Sequence, residues 1–170
     1  MPSPAELAAI AQGLIDRNRY LTLATADRAG QLWASPVWYA PCGLPEFFWV
    51  SSPDARHPRN IAARPQVSIV IFDSSAQPSA AQAVYISGAA KVATGAGPER
   101  YMQIYSRRSR EQGLPERAPS DVQAPAHHRL YRAVAAEQFV LKPGGVDVRI
   151  PINMDSLAAH RPASPEARPD

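Results

Sequence analysis

Residues 47–72 read FFWVSSPDARHPRNIAARPQVSIVIF, two strongly apolar runs around a segment dense in hydroxyls, arginines and prolines. The runs at 47–50 and 66–72 have the aromatic and β-branched content of strands. Reversing the chain between them needs only glycine, proline or asparagine, yet Ser51, Ser52, Arg56, His57 and Arg59 stand there. Ile61, Ala62 and Ala63 predict a short helix ending near Arg64-Pro65. His57 precedes a proline, which disfavours helical backbone at His57 itself. The helix therefore starts at Pro58, or holds Pro58 in its first turn, where the missing N–H costs nothing. In both cases Arg56, His57 and Arg59 crowd a helix amino end, whose free N–H groups and dipole favour an anion. With the hydroxyls of Ser51 and Ser52 they make a phosphate cradle; Asp54 reads as a cap or an arginine partner. The same residues also fit a solvated helix end, and spacing alone does not separate the two.

Working outward, residues 3–16 predict a helix, with Ser3 and Glu6 at capping-box spacing and Pro4 at the first helical position. From Tyr20 the apolar period falls to two, giving a strand at 20–27. A glycine turn leads to a second strand at 31–40, in which Pro36 implies an edge or a bulge. APCGLPE is read as a turn before the strand at 47–50. A fifth strand at 83–93 carries Gly88 as a bulge. Gly97-Pro98 opens a helix that Gly113 closes. Strands at 128–142 and 146–153 flank Pro143-Gly144-Gly145. About seven strands with short turns and few helices make a mainly β (α+β) chain, a small closed or partly open barrel. One domain over residues 1–155 is expected, with a disordered tail at 156–170 that lacks a periodic apolar pattern.

Composition narrows the function classes. The 170 residues are 45% apolar and 19% charged, ordinary for a soluble chain. No apolar run approaches the roughly 20 residues of a membrane span, and the amino end has no cationic stretch of a secretory signal. With Cys42 as the single cysteine, an intrachain disulfide is excluded and a cysteine-based metal site is not expected. A cytoplasmic location is the resulting expectation. A net charge of +3 is too small for non-specific nucleic-acid binding to be the main function. Only Lys91 and Lys142 are lysines among 18 cations, a bias suited to bidentate anion recognition where arginines converge. His127 and His128, if on a strand, would point to opposite faces, and no metal site is expected. Trp33, Trp38, Tyr39 and Trp49 lie on neighbouring strands, as flat surface beside the anion site or as barrel core.

TADRAGQLWASPVWYA, FFWVSSPDARHPRNIAARPQVSIVIFDSS and AVYISGAAKVA together resemble the pyridoxamine 5′-phosphate oxidase-related, FMN-binding split-barrel family, from about Tyr20 to Val92 and more loosely through residues 128–152. The resemblance implies a six- to eight-stranded antiparallel split β-barrel with a few peripheral helices, paired as a homodimer with cofactor sites at the interface. It implies FMN, or a deazaflavin in its place, and an oxidoreductase acting on a small organic substrate. Ser51, with Ser52 beside it, stands at the family's phosphate-contacting hydroxyl and Arg56 at its phosphate arginine. His57 takes the place of a lysine. Ser35, Pro36, Val37 and Trp38 match the strand whose backbone lines the flavin edge. Trp49 and Val50 match the strand approaching the ring from the other side. Ser35 replaces the arginine of the oxidases proper, Ala40 their strand-end lysine and Ala83 a flavin-contacting glutamine, with Gln82 adjacent. FMN binding is therefore expected more than pyridoxamine 5′-phosphate oxidation. A non-catalytic flavin carrier or a haem-binding relative of the same barrel, with His127 or His128 as axial ligand, is the other expectation.

Overall fold

A computed structural model describes residues 2–94, 98–142 and 147–153. Gly97, the Pro143-Gly144-Gly145 turn and the tail at 156–170 lie outside them.

Among the described residues eight strands form one antiparallel sheet: β1 (Tyr20–Ala26), β2 (Leu32–Trp38), β3 (Ala40–Cys42), β4 (Glu46–Ser51), β5 (Gln66–Phe72), β6 (Ala83–Val92), β7 (Arg129–Leu141) and β8 (Arg149–Pro151). Their hydrogen-bonded order is β2-β1-β5-β6-β7-β4-β3, with β8 also on β7. Consecutive strands usually lie side by side, but β2 and β3 sit at opposite ends of this order and are joined by Tyr39 alone. One residue spans only about 3.3–3.6 Å of chain, so the sheet must curl until its ends meet. The result is the α+β split barrel. β2 pairs with β1 only, so Pro36 sits on an edge strand, where its missing N–H breaks no ladder. The stretch APC, expected as a turn, is β3, a strand beyond the seven expected. Its three residues are too few for a period to show, and pairing with Glu46–Phe48 extends them.

β7 is the hub. It pairs with β6 along most of its length, with β4 through Arg129–Val134, and with β8 through Phe139–Leu141. Where β4 has ended and β8 not begun, Ala135 N–H donates to the Pro45 carbonyl at 2.9 Å, and the buried Gln138 amide donates to the Leu44 carbonyl.

Alternation sorts the side chains. Leu21, Leu23, Phe47, Trp49, Ile69, Ile71, Val84, Ile86 and Tyr131 fill the barrel interior. The apolar stripe of α1 (Pro4–Arg17), namely Leu7, Ala8, Ala11, Leu14 and Ile15, joins that core. Its capping box forms as the sequence predicts. Phe48 and Leu130 point the other way, into a second cluster with Met102 and Tyr105 of α3 (Pro98–Glu111). Phe48 stacks on Tyr101 with centroids 4.8 Å apart. Gly113, at φ +68°, ends α3 in the conformation glycine tolerates. No helix among the described residues is long and apolar enough to cross a membrane.

The predicted bulge is real: register shifts between Ser87 and Gly88 in the β6–β7 ladder. A Cβ at Gly88 would lie 2.2 Å from the Val134 carbonyl oxygen, a backbone atom that cannot swing aside. Gly88→Ala is expected to destabilise the fold by at least about 2 kcal/mol, at the scale of core overpacking. The urea midpoint measures it; a change within 0.5 kcal/mol, the ordinary surface range, would mean the two strands separate freely there.

Candidate functional site

The opening segment folds around α2 (Arg56–Ala63), so Pro58 lies in the first turn and His57 is helical despite preceding it. Ala55 is the N-cap and makes no side-chain cap bond, so the N–H groups of Arg56 and His57 have no capping side chain. Asp54 does not cap the helix as expected. Its backbone N–H donates to Ser52 Oγ at 3.2 Å, and its exposed carboxylate lies 3.9 Å from His127 Nε2.

Two contacts fix α2 against the barrel. Its amphipathic face puts Ile61 into the core while α2 packs on β1, β2 and β6. The buried Asn60 amide donates to Thr25 Oγ1 at 3.0 Å, and that hydroxyl donates to the Trp33 carbonyl at 3.3 Å. Arg56, one helical turn before Asn60, lies over the Trp33 ring with its guanidinium carbon 4.3 Å from the centroid. This cation–π contact leaves the guanidinium at the amino end of α2.

Ser51 Oγ is 3.0 Å from His57 Nε2. Burial, with no resolved charge partner, holds the His57 imidazole below its ordinary pKa, so the neutral ring is favoured in this state. Ser52 Oγ is 3.1 Å from Nε2 of His127. The register Ser51↔Arg129 between β4 and β7 brings that histidine across 75 residues of sequence. His127 and His128 precede β7 instead of lying within a strand, so the expected opposite orientation does not arise. Their rings meet edge to face at 5.7 Å. Ser52, His127 and Asp54 are not a catalytic triad, because the serine and the carboxylate both face Nε2.

The structure thus brings Ser51, Ser52, Arg56 and His57 together, and adds His127 and Trp33. The other expected residues fall elsewhere. Ser35 and Val37 pair with Leu23 and Leu21, which face the interior, so Pro36 and Trp38 face outward. The Trp38 indole donates to Gln112 Oε1 at 2.8 Å and packs edge-on against Tyr105. Val50 faces the outer cluster. Tyr39 and Trp49 are fully buried, Trp49 stacked on Tyr131, so neither offers ring surface to a ligand. Of the four aromatics read as flat surface beside the anion site, only Trp33 adjoins it. Gln82, beside Ala83, is engaged by Arg17 at 3.3 Å.

Along β2, β1 and β5 the outward residues are Leu32, Ala34, Pro36, Trp38, Tyr20, Thr22, Ala24, Ala26, Gln66, Ser68, Val70 and Phe72, none of them charged. Leu32, Tyr20 and Phe72 are 73%, 59% and 47% exposed.

A sequence model of pyridoxamine 5′-phosphate oxidase matches residues 7–138. The chain belongs to that family. Among solved structures, a heme binding protein from Mycobacterium smegmatis superposes with TM-score 0.71 at 22% identity, over 94% of this chain and 61% of that one. HutZ, the heme storage protein of Vibrio cholerae, gives 0.61 at 23% identity over 75% and 89%. An F420 reductase gives 0.55 at 19% identity over 75% and 94%. At these identities the likeness is one of fold. This chain spans 61% of the length of the Mycobacterium smegmatis protein. No curated protein matches the sequence significantly.

The donors around the amino end of α2 are two hydroxyls, a guanidinium, imidazole nitrogens and helix N–H groups without a capping side chain, a set whose chemistry suits an anion. The depressed His57 pKa has a stability consequence. A histidine whose folded pKa lies below its unfolded value stabilises above about pH 6.5, its unfolded value, and loses that contribution as pH falls toward the folded value. The urea midpoint of the cofactor-free protein is expected to fall between pH 7.5 and 5. In His57→Asn that fall should be smaller; equal falls would show His57 to be freely solvated.

Proposed function

We propose that this chain is an FMN-binding flavoprotein, a homodimeric oxidoreductase acting on a small organic substrate. The observation that carries the reading is the convergence of Ser51, Ser52, Arg56 and His57 at the amino end of α2. This cradle lies at one end of β2, whose outer face is uncharged. The cradle suits the phosphate monoester, and an uncharged strand face suits a flat ring attached to it. Bound FMN would supply the hydride or electron transfer, and the chain would supply position and electrostatics. Arg56, held on Trp33, and the Ser51 hydroxyl would orient the phosphate. The backbone from Ser35 to Trp38 would lie along the ring edge, with the strand at Trp49 and Val50 approaching from the other side. No side chain here is assigned as a general acid or base.

A deazaflavin carries a long acidic tail that calls for free cations at the groove mouth. Arg59 or the arginine-rich α3 would have to supply them; Arg107 and Arg110 stand exposed beside Glu111 and Glu116, in weak pairs that leave them able to meet an anion. The outer face of β2, β1 and β5 supports the dimer, since exposed Leu32, Tyr20 and Phe72 on an uncharged surface are the residues a partner would cover. One specific observation favours a second reading, haem binding: His127 and His128 stand together at the cradle mouth, and two of the similar folds are haem proteins.

The colour of the purified protein separates these readings. Flavin absorbance released on denaturation is expected; a Soret band lost in the His127→Ala/His128→Ala double variant would establish haem instead. Arg56→Ala is expected to weaken FMN binding by about 1.5–3 kcal/mol, the scale of a charge-assisted hydrogen bond, measured by fluorescence titration. Unchanged affinity would remove the phosphate assignment. Sedimentation should show a dimer for the parent chain and a monomer for Leu32→Glu, which puts charges into the apolar face; a parent monomer would refute the interface.

A further inference from the structure

The family resemblance accounts for Ser51, Arg56 and His57, but not for the group opposite them. Ser51 is partnered by His57 from α2, and Ser52 by His127 from the segment entering β7, at 3.0 and 3.1 Å. The two adjacent hydroxyls thus each meet an imidazole, one carried by α2 and one by the segment entering β7. The other charged or titratable groups around them are few. Arg56 lies on Trp33. Arg129 donates to the carbonyls of Ala126 and His128, and His128 edges against His127. Asp54 is the anionic group beside His127, at 3.9 Å and with both side chains largely solvated. At such exposure an ion pair is weak and does not close the site to a stronger anion.

We infer that His127 is an anion-binding residue of the cradle, so that a phosphate monoester is held between two histidines, His57 on α2 and His127 at the start of β7. The inference rests on the phosphate reading above and adds a ligand that reading does not contain. Each serine can accept from an imidazole N–H while donating its own O–H to a phosphate oxygen, and a protonated imidazole adds charge. Where the family carries a lysine, charged at all neutral pH values, this chain has His57, whose ring is kept neutral by burial unless an anion lies beside it. An anion between the rings favours their protonated forms over the neutral ones. By linkage, affinity rises as pH falls. The phosphate's own second ionisation, near pH 6, acts in the opposite direction below that value, and lysine variants separate the two.

The test is calorimetric titration of the full chain with FMN, and with riboflavin as the phosphate-free probe, between pH 6 and 8.5. Parent protein is expected to take up protons on binding FMN, seen as a dependence of the apparent heat on buffer ionisation enthalpy. His127→Ala should weaken FMN about tenfold at pH 6.5, one charge-assisted contact, and leave riboflavin unchanged. His127→Lys should bind FMN at pH 8.5 better than the parent does. His127 is largely solvated in its place beside Asp54, so its removal leaves the core intact, and Ser52→Ala gives an independent loss on the same wall. Equal FMN affinity for parent and His127→Ala at every pH, with Arg56→Ala still impaired, would overturn the second histidine while sparing the phosphate site. Loss of riboflavin affinity in parallel with FMN would also overturn it. If neither Arg56→Ala nor His127→Ala changes FMN binding, or FMN does not bind the parent chain, the phosphate reading falls and this inference with it.

Discussion

The fold depends on a corner one residue long. β2 and β3 lie at opposite ends of the strand order, and Tyr39 is all that separates them. Its side chain is fully buried, and its hydroxyl donates to the Ile15 carbonyl at 2.6 Å, beside the C-terminal end of α1. Burial pushes the phenol well above its ordinary pKa, so the hydroxyl stays protonated and remains a donor. A flat sheet with this connectivity is impossible, and an open curl without the α1 contact would leave a buried hydroxyl unpaired. The corner and the amino-terminal helix therefore specify each other.

The site inherits its precision from that closure. α2 is only eight residues long, too short to hold its own axis in water, yet Arg56 must present its guanidinium in one direction. Asn60, Thr25 and the Trp33 carbonyl form a buried chain from helix to β1 to β2, and the Trp33 ring takes the arginine one turn earlier. The same residue thus fixes the helix through its carbonyl and the cation through its ring.

Much of this was legible in the chain, and the reasons for the rest are physical. The helix at the amino end, the edge proline Pro36, the bulge at Gly88 and the gathering of Ser51, Ser52, Arg56 and His57 follow from local periodicity and turn chemistry. What escaped is non-local or too short to have a period. Ala40–Cys42 is a strand only because Glu46–Phe48 pairs with it. Trp49 is core and Trp33 is not, a distinction made by strand register and position along the barrel. In sequence His127 stands out only as a candidate axial ligand, because nothing local ties it to Ser52 and only the β4–β7 ladder carries it there.

That ladder ties the site to the folding of the whole. Ser51 pairs with Arg129 at the last step of the ladder in which Phe47 and Trp49 lie beside Ala133 and Tyr131, all turned into the barrel interior. Contacts closed over 75 residues are the last to be repaid against loop entropy. The first wall of the cradle, Ser51 with His57, is local and can form with α2, whereas the second wall, Ser52 with His127, exists only once β7 has docked on β4. An anion that touches both walls therefore binds the closed barrel and not its opened forms. Its binding energy would add to the stability of the closure and link anion binding to completion of the barrel.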